Sequence, residues 1–339
     1  MVRRIPIRAK VAGALALPLL ALVAAAGFGV SANADAARRV TRQADLATAS
    51  IGHAGLISAL QNERNQAAFE MLGPTGQLQL EVDDRGTARE LTDTARTALH
   101  HQIAGQGDTL REDYQAALGM LDDLPAVRDA VDAAAATPGP ANRVAAHEVF
   151  RSYSEMVSTL FASHDRFSLV VDDAELRQGD DLIHYSSHAS DAAAQLVETL
   201  LYHGTGLGGI DVPVEAAEIA EVRRDLTRNN AVVRTKGTGD YATATQTLFA
   251  NPRIDGLSAL AKRAIEVGGH IEPGQVVAAA PIGPAGGYMT FRDDVVDVLD
   301  ATAADLGQAA DARRRLYLGG GQAGGRHVTG RGAQVAQRP

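Results

Sequence analysis

Residues 11–30, VAGALALPLLALVAAAGFGV, form an unbroken run of 20 side chains without a charge, and no second run like it follows. As a helix rising 1.5 Å per residue it reaches about 30 Å, the hydrocarbon thickness of a bilayer. Arg3, Arg4, Arg8 and Lys10 precede it with no acid among them. That bias places residues 1–10 on the cytoplasmic side and the rest of the chain outside. Pro18 falls within the run, and lipid-embedded helices tolerate proline where neighbouring groups satisfy the freed carbonyl. Ala32-Asn33-Ala34 also reads as a small-x-small cleavage site, so a removed signal peptide and a secreted product form the alternative. The run exceeds the apolar core of an ordinary signal peptide, about 7–15 residues. We therefore expect a single-pass anchor, a cell-membrane location and an extracytoplasmic body.

That body has no cysteine to staple it, which removes disulfides, thiolate nucleophiles and cysteine metal sites together. Aromatic residues are only 4% and tryptophan is absent, a composition that suits long helices packed through alanine and leucine better than a β-sandwich. The two basic tails hold ten of the 32 basic residues, which leaves 22 basic against 41 acidic groups over residues 35–312, a net charge of −19. So acidic a body excludes nucleic acid as a partner, because phosphate neutralisation needs a basic face. A small anion would need a locally positive pocket against that field.

The apolar spacing is helical throughout, and no strand pair is legible. Residues 36–72 read as one helical pattern, stopped by Gly73-Pro74. Helices are expected over 85–103, from Asp108 to near Leu124, and as a short element opened by Pro125. Pro138-Gly139-Pro140 marks the clearest break. Long helices then run over 143–176, 180–202 and 213–234, with a shorter one after Asn251-Pro252. Residues 268–288 read as irregular and 293–318 as helical, heading back towards the membrane through Arg313-Arg314-Arg315. Residues 319–339 are rich in Gly and Arg and are expected to be disordered. The organisation is a basic segment 1–10, a membrane helix 11–30, an all-α long-helix bundle over 31–318 and a tail over 319–339.

Within the first helical pattern, LISALQNERNQAAFEML at 56–72 sets Gln61, Glu63 and Arg64 mid-helix, opposite an apolar face. A membrane span, then Leu60-Gln61-Asn62-Glu63-Arg64 on a long helix, then an acidic all-helical ectodomain: over residues 5–318 this resembles the NIT domain. That family comprises the nitrate- and nitrite-sensing modules of bacterial receptors, including sensor histidine kinases. The resemblance implies an up-and-down architecture of two stacked four-helix bundles, a homodimer, nitrate or nitrite as ligand, and Arg64 as the anion-contacting arginine. Neither a second membrane span nor an output module is read here, so signalling would pass through a separate partner. The chain has Asn65 and Ala67 where the family has Gly and then Ser or Thr. Gln195 stands where the family carries a second arginine on a later helix, with Arg177 or Arg223 close enough in sequence to compensate.

The ligand-binding candidates are therefore Arg64, Gln61 and Gln195. A guanidinium is permanently charged, and its planar fork matches a planar three-oxygen anion. The competing assignment for Arg64 is an internal salt bridge with an acid such as Glu70 or Asp45. His184 and His188, four apart on one helix, share a face as zinc ligands do, but spacing implies no third ligand. They read as core or solvated histidines, and no metal or cofactor is expected. Gly204-Thr205-Gly206-Leu207-Gly208-Gly209 lacks the P-loop lysine and follows a helix, so it reads as a helix stop. No carboxylate pair stands isolated for acid–base work, and no enzymatic activity is expected. The alternative function is a structural or protein-binding helical ectodomain with no small-molecule ligand.

Overall fold

The computed structural model describes residues 34–72, 85–168, 174–203, 216–236 and 252–267, with isolated positions between 304 and 315. By contacts the chain divides into two units, Met1–Thr41 with Ala310–Pro339, and Arg42–Ala309. In the first, residues 34–41 are helical, with Arg38 paired to Asp35 at 2.7 Å, and residues 310–312, 314 and 315 are helical too. The second holds α1 (residues 42–51), α2 (Leu56–Leu72), α3 (Arg85–Ile103), α4 (Asp108–Gly119), α5 (Leu124–Ala135), α6 (Arg143–Ser168), α7 (Ala174–Tyr202), α8 (Ala216–Lys236) and α9 (Pro252–Val267). Short 3₁₀ turns at Met120–Asp123 and Pro140–Asn142 join α4 to α5 and lead into α6. Every regular element among the described residues is helical. The expected membrane helix at 11–30, the irregular 268–288 and the tail 319–339 lie outside the described residues. None of the described helices is long and apolar enough to cross a membrane.

The helical pattern read over 36–72 is broken in the structure at residues 52–55. A side-chain carbon on Gly52 would lie 2.5 Å from the Thr48 carbonyl oxygen, and one on Gly55 would lie 2.9 Å from the Ser50 carbonyl carbon. Only glycine fits so tight a turn. Proline acts as expected in α5, where Pro125 occupies the first turn and its missing N–H leaves no helical bond unmade. The boundary between the two longest helices moves: α6 ends at Ser168, and α7 already contains Gly179, which the sequence had placed in a gap. Gly179 is buried, and a residue without a side chain admits a close neighbour there.

α2 is the centre of the second unit, with α3, α5, α6 and α7 packed around it. α6 shows why: Val149, Phe150, Tyr153, Met156, Val157, Leu160, Phe161 and Phe167 recur at three- and four-residue steps and are all buried. α7 lies along α8, and α9 packs on α8. The ends of α2 and α5 are pinned by one side chain, since the Asn142 amide donates to the carbonyls of Met71 at 3.0 Å and Ala134 at 2.9 Å. These two carbonyls belong to helix C-termini and lack intrahelical partners.

α2 departs from the amphipathic helix expected of its sequence. Ile57, Leu60 and Met71 are buried, but so are Gln61, Glu63, Arg64, Asn65 and Gln66. Over residues 61–66 only Asn62 is not buried. A buried polar group without a partner costs about 1–3 kcal/mol or more, and Gln61, Glu63, Arg64 and Asn65 find partners, whereas Gln66 Oε1 has none among the described residues.

Candidate functional site

The cluster Gln61-x-Glu63-Arg64 splits in two directions. Glu63 turns towards α3, α5 and α6. Arg128 grips both of its oxygens, at 2.7 and 2.9 Å, and the Tyr153 hydroxyl donates to Oε1 at 2.8 Å. Arg128 continues to Asp93 at 3.0 Å, and Arg89 and Arg85 join α3 to Asp132 on α5. Burial pushes the Glu63 carboxyl up, but the Arg128 fork and the Thr92 and Tyr153 hydroxyls outweigh it and hold the group below its ordinary 4.5. Burial and the Glu63 charge together push the Tyr153 hydroxyl far up, so it remains a donor. Glu63 is thus a structural carboxylate.

That arrangement fixes the sign of a pH effect. A carboxyl whose folded pKa is depressed adds stability above its unfolded pKa, and the contribution is lost as pH falls through the folded value. Glu63→Gln should therefore lower the unfolding free energy by about 2–3 kcal/mol at pH 7, given that Arg128 keeps Asp93. The gap between variant and parent should narrow below pH 4.5, as read by urea unfolding across a pH series.

Gln61 and Arg64, three apart and so on one side of the helix, turn to α7. Arg64 is fully buried, and its Nη1 lies 2.7 Å from Asp191 Oδ1. Nη1 also donates to Ser154 Oγ at 3.1 Å and Nε to Asn65 Oδ1 at 3.3 Å, while the Phe150 ring faces the guanidinium at 4.2 Å. Nη2 is buried with no hydrogen-bond partner. Gln61 Nε2 donates to the same Asp191 Oδ1 at 3.3 Å and to the Ser187 carbonyl at 3.4 Å. Gln195, one turn beyond Asp191, donates to its Oδ2 at 2.6 Å. All three residues singled out from the sequence therefore converge on one carboxylate.

The sequence did not identify that carboxylate as their partner. Asp191 lies three residues past His188 on the same helix. Of the two acids weighed against Arg64, Glu70 pairs instead with Arg85 at 2.7 Å, and Arg64 itself pairs with Asp191. The arginines expected to compensate for Gln195 do not reach it: Arg223 donates to Ser258 at 3.0 Å, and Arg177 is exposed near the start of α7.

A cleft of about 380 Å³ opens beside this junction between α6, α7 and α8. Ser154, Asp191 and Gln195 line it, and so do two arginines the sequence reading had passed over, Arg151 and Arg228. Both are largely exposed, with only loose contacts to Glu155 at 4.0 Å and Asp225 at 3.4 Å. Arg64 is not in the wall. Asp191 touches both the buried guanidinium and the cleft, and so stands between them. His188 also lines the cleft, stacked on Phe161 at 3.7 Å. Burial and the neighbouring His184 push His188 down to about 4, so it is neutral at pH 7.

Elsewhere the buried histidines sit in closed pairs. His164 bridges Asp180 at 3.0 Å and Tyr114 at 3.2 Å, and His147 meets Glu198 at 2.9 Å with Tyr202 stacked on its ring.

The fold resembles a solved structure described as the NasR transcription antiterminator, with a TM-score of 0.52 at 15% identity over 87% of this chain and 75% of that one. Among curated proteins none matches the chain. The family model for nitrate and nitrite sensing, NIT, matches residues 55–317, which takes in α2 from its first residue together with the whole Arg64–Asp191 junction. The chain belongs to the NIT family.

Proposed function

We propose that residues 31–318 form a membrane-anchored, extracytoplasmic sensory domain that binds a small planar oxyanion, nitrate or nitrite. The family supplies the ligand class, and one observation supports the place. Arg64 is a fully buried guanidinium with an unpaired Nη2, separated from an open cleft by the Asp191 carboxylate. An anion entering the cleft first meets Arg151, Arg228 and the Gln195 amide. It then competes with Asp191 for the planar fork of Arg64.

Because Arg64 and Gln61 belong to α2 and Asp191 to α7, that exchange unties α2 from α7. A ligand that binds the untied arrangement better shifts the population towards it. Residues 1–10 and 11–30 supply the cytoplasmic end and the anchor, and residues 319–339 a tail. The domain itself is read as two stacked four-helix bundles in a homodimer, which passes its signal to a separate partner.

The test is thermal unfolding of the full-length protein in nitrate, nitrite, chloride and sulfate at matched ionic strength. A ligand at 100 times its dissociation constant adds about 2.7 kcal/mol of stability. A rise specific to nitrate or nitrite, and reduced by Gln195→Ala, is expected. Equal behaviour in all four salts would leave the Arg64–Asp191 pair as an internal salt bridge, and the domain as a protein-binding ectodomain.

A further inference from the structure

α6 and α7 bring a second set of groups together, away from Arg64. His184 and His188 share one face of α7, and Asp165, near the end of α6, meets them there. One ligand atom from each residue lies within 4.8 Å of the other two. His184 Nε2 and Asp165 Oδ1 face each other at 3.0 Å, and His184 Nδ1 points to the other side of the ring. That Nδ1 is buried and has no hydrogen-bond partner. A cation held by His184 Nε2 and Asp165 would take the place of the proton between them, with His188 as the further donor of the same cluster.

We propose that Asp165, His184 and His188 bind a divalent d-block cation, zinc being the reference ion. Two imidazoles and one carboxylate are a donor set that zinc, cobalt and nickel accept and that magnesium and calcium do not favour. Three protein ligands leave a fourth position for water. The rings are already placed, since Phe161 stacks on His188 at 3.7 Å and meets His184 edge-on at 5.8 Å. Tetrahedral ligands at zinc distances stand about 3.4 Å apart, so the set must contract at its widest. Asp165 can supply that movement, because its side chain is 59% exposed, and the same exposure gives the ion a way in. His164, 5.5 Å from His184 ring to ring, is held by Asp180 and Tyr114 and supports the site without being a ligand. The charges around the ion are Asp165 and Asp191, with Arg228 opposing them. Because His188 also lines the cleft, the ion would add positive charge on the wall that holds Gln195.

The experiment is titration of the full-length, chelator-treated protein with Co²⁺, followed by displacement with Zn²⁺. Binding of one equivalent is expected, with the visible bands of a low-coordinate Co²⁺ ion that Zn²⁺ then abolishes, and no response to Mg²⁺. Asp165→Asn, an exposed change that leaves the core intact, should weaken binding at least tenfold. His188→Gln should do the same, with circular dichroism confirming its fold. Absence of a saturable cobalt spectrum overturns the proposal. So does a spectrum that persists unchanged in both variants, because the ion then sits elsewhere.

Discussion

Arg64→Ala is expected to destabilise the protein by about 3–5 kcal/mol, whatever it does to ligand binding. The cause is the residue left behind. Asp191 is nearly buried, and among the described residues it takes its charged contact from Arg64 at 2.7 Å, with the Gln61 and Gln195 amides besides. Two amide donors do not balance a desolvated carboxylate. A lost anion response in this variant would therefore be ambiguous between a missing ligand contact and a loosened α2–α7 contact. The unambiguous comparison removes both charges. Arg64→Met combined with Asp191→Leu should recover most of the loss, because replacing a buried pair by apolar groups of similar volume is often neutral. Urea unfolding of the parent, the two single variants and the double variant measures the coupling directly. A single Arg64→Ala variant as stable as the parent would show that the pair is well hydrated and carries little.

The position of Arg64 was legible in the sequence, whereas its environment was not. Helical spacing shows where a polar cluster falls on a helix, and it set Gln61, Glu63 and Arg64 together opposite an apolar face. It does not distinguish a solvated face from a polar interior whose groups are paired. Around Glu63 and Arg64 α2 is of the second kind, because three neighbouring helices, α5, α6 and α7, supply Arg128, Tyr153, Ser154 and Asp191 from far along the chain. Gln61 and Asp191 are 130 residues apart, and no local pattern links them. His184 and His188 were set aside for want of a third ligand, and spacing could not show that Asp165, on α6, lies beside them.

The helix boundaries divide along similar lines. The helix expected over 85–103 agrees with α3, because its buried face of Ala88, Thr92, Ala95, Leu99 and Ile103 is periodic. The break at Gly52–Gly55 and the burial of Gly179 were misread for one reason. Glycine marks a turn in the first case and a buried position within a helix in the second, and spacing alone does not separate the two. Proline is less ambiguous, and both Pro125 and Pro252 stand in the first turn of a helix, as their missing N–H requires.

Asp191→Asn should raise the affinity for nitrate or nitrite about 10–100-fold. In the parent the Asp191 carboxylate occupies the position on the Arg64 fork that an incoming anion needs, so binding is opposed by the salt bridge it must break. Asparagine has the same shape and still accepts from Gln61 and Arg64, but it carries no charge. The guanidinium is then left buried without a counter-ion, and the unliganded protein should unfold at a lower temperature. A monovalent oxyanion restores the missing charge. If half of the 3–5 kcal/mol associated with a broken buried pair returns as binding energy, the gain is about tenfold for each 1.4 kcal/mol. Calorimetric titration of nitrate into parent and variant, with melting temperatures recorded with and without ligand, tests both halves. The expected pattern is a lower starting stability with a larger nitrate-induced rise. A fall in affinity would mean that Asp191 serves the ligand by holding Arg64 in position, and that anion and carboxylate bind the guanidinium side by side, with the unpaired Nη2 as the anion's contact.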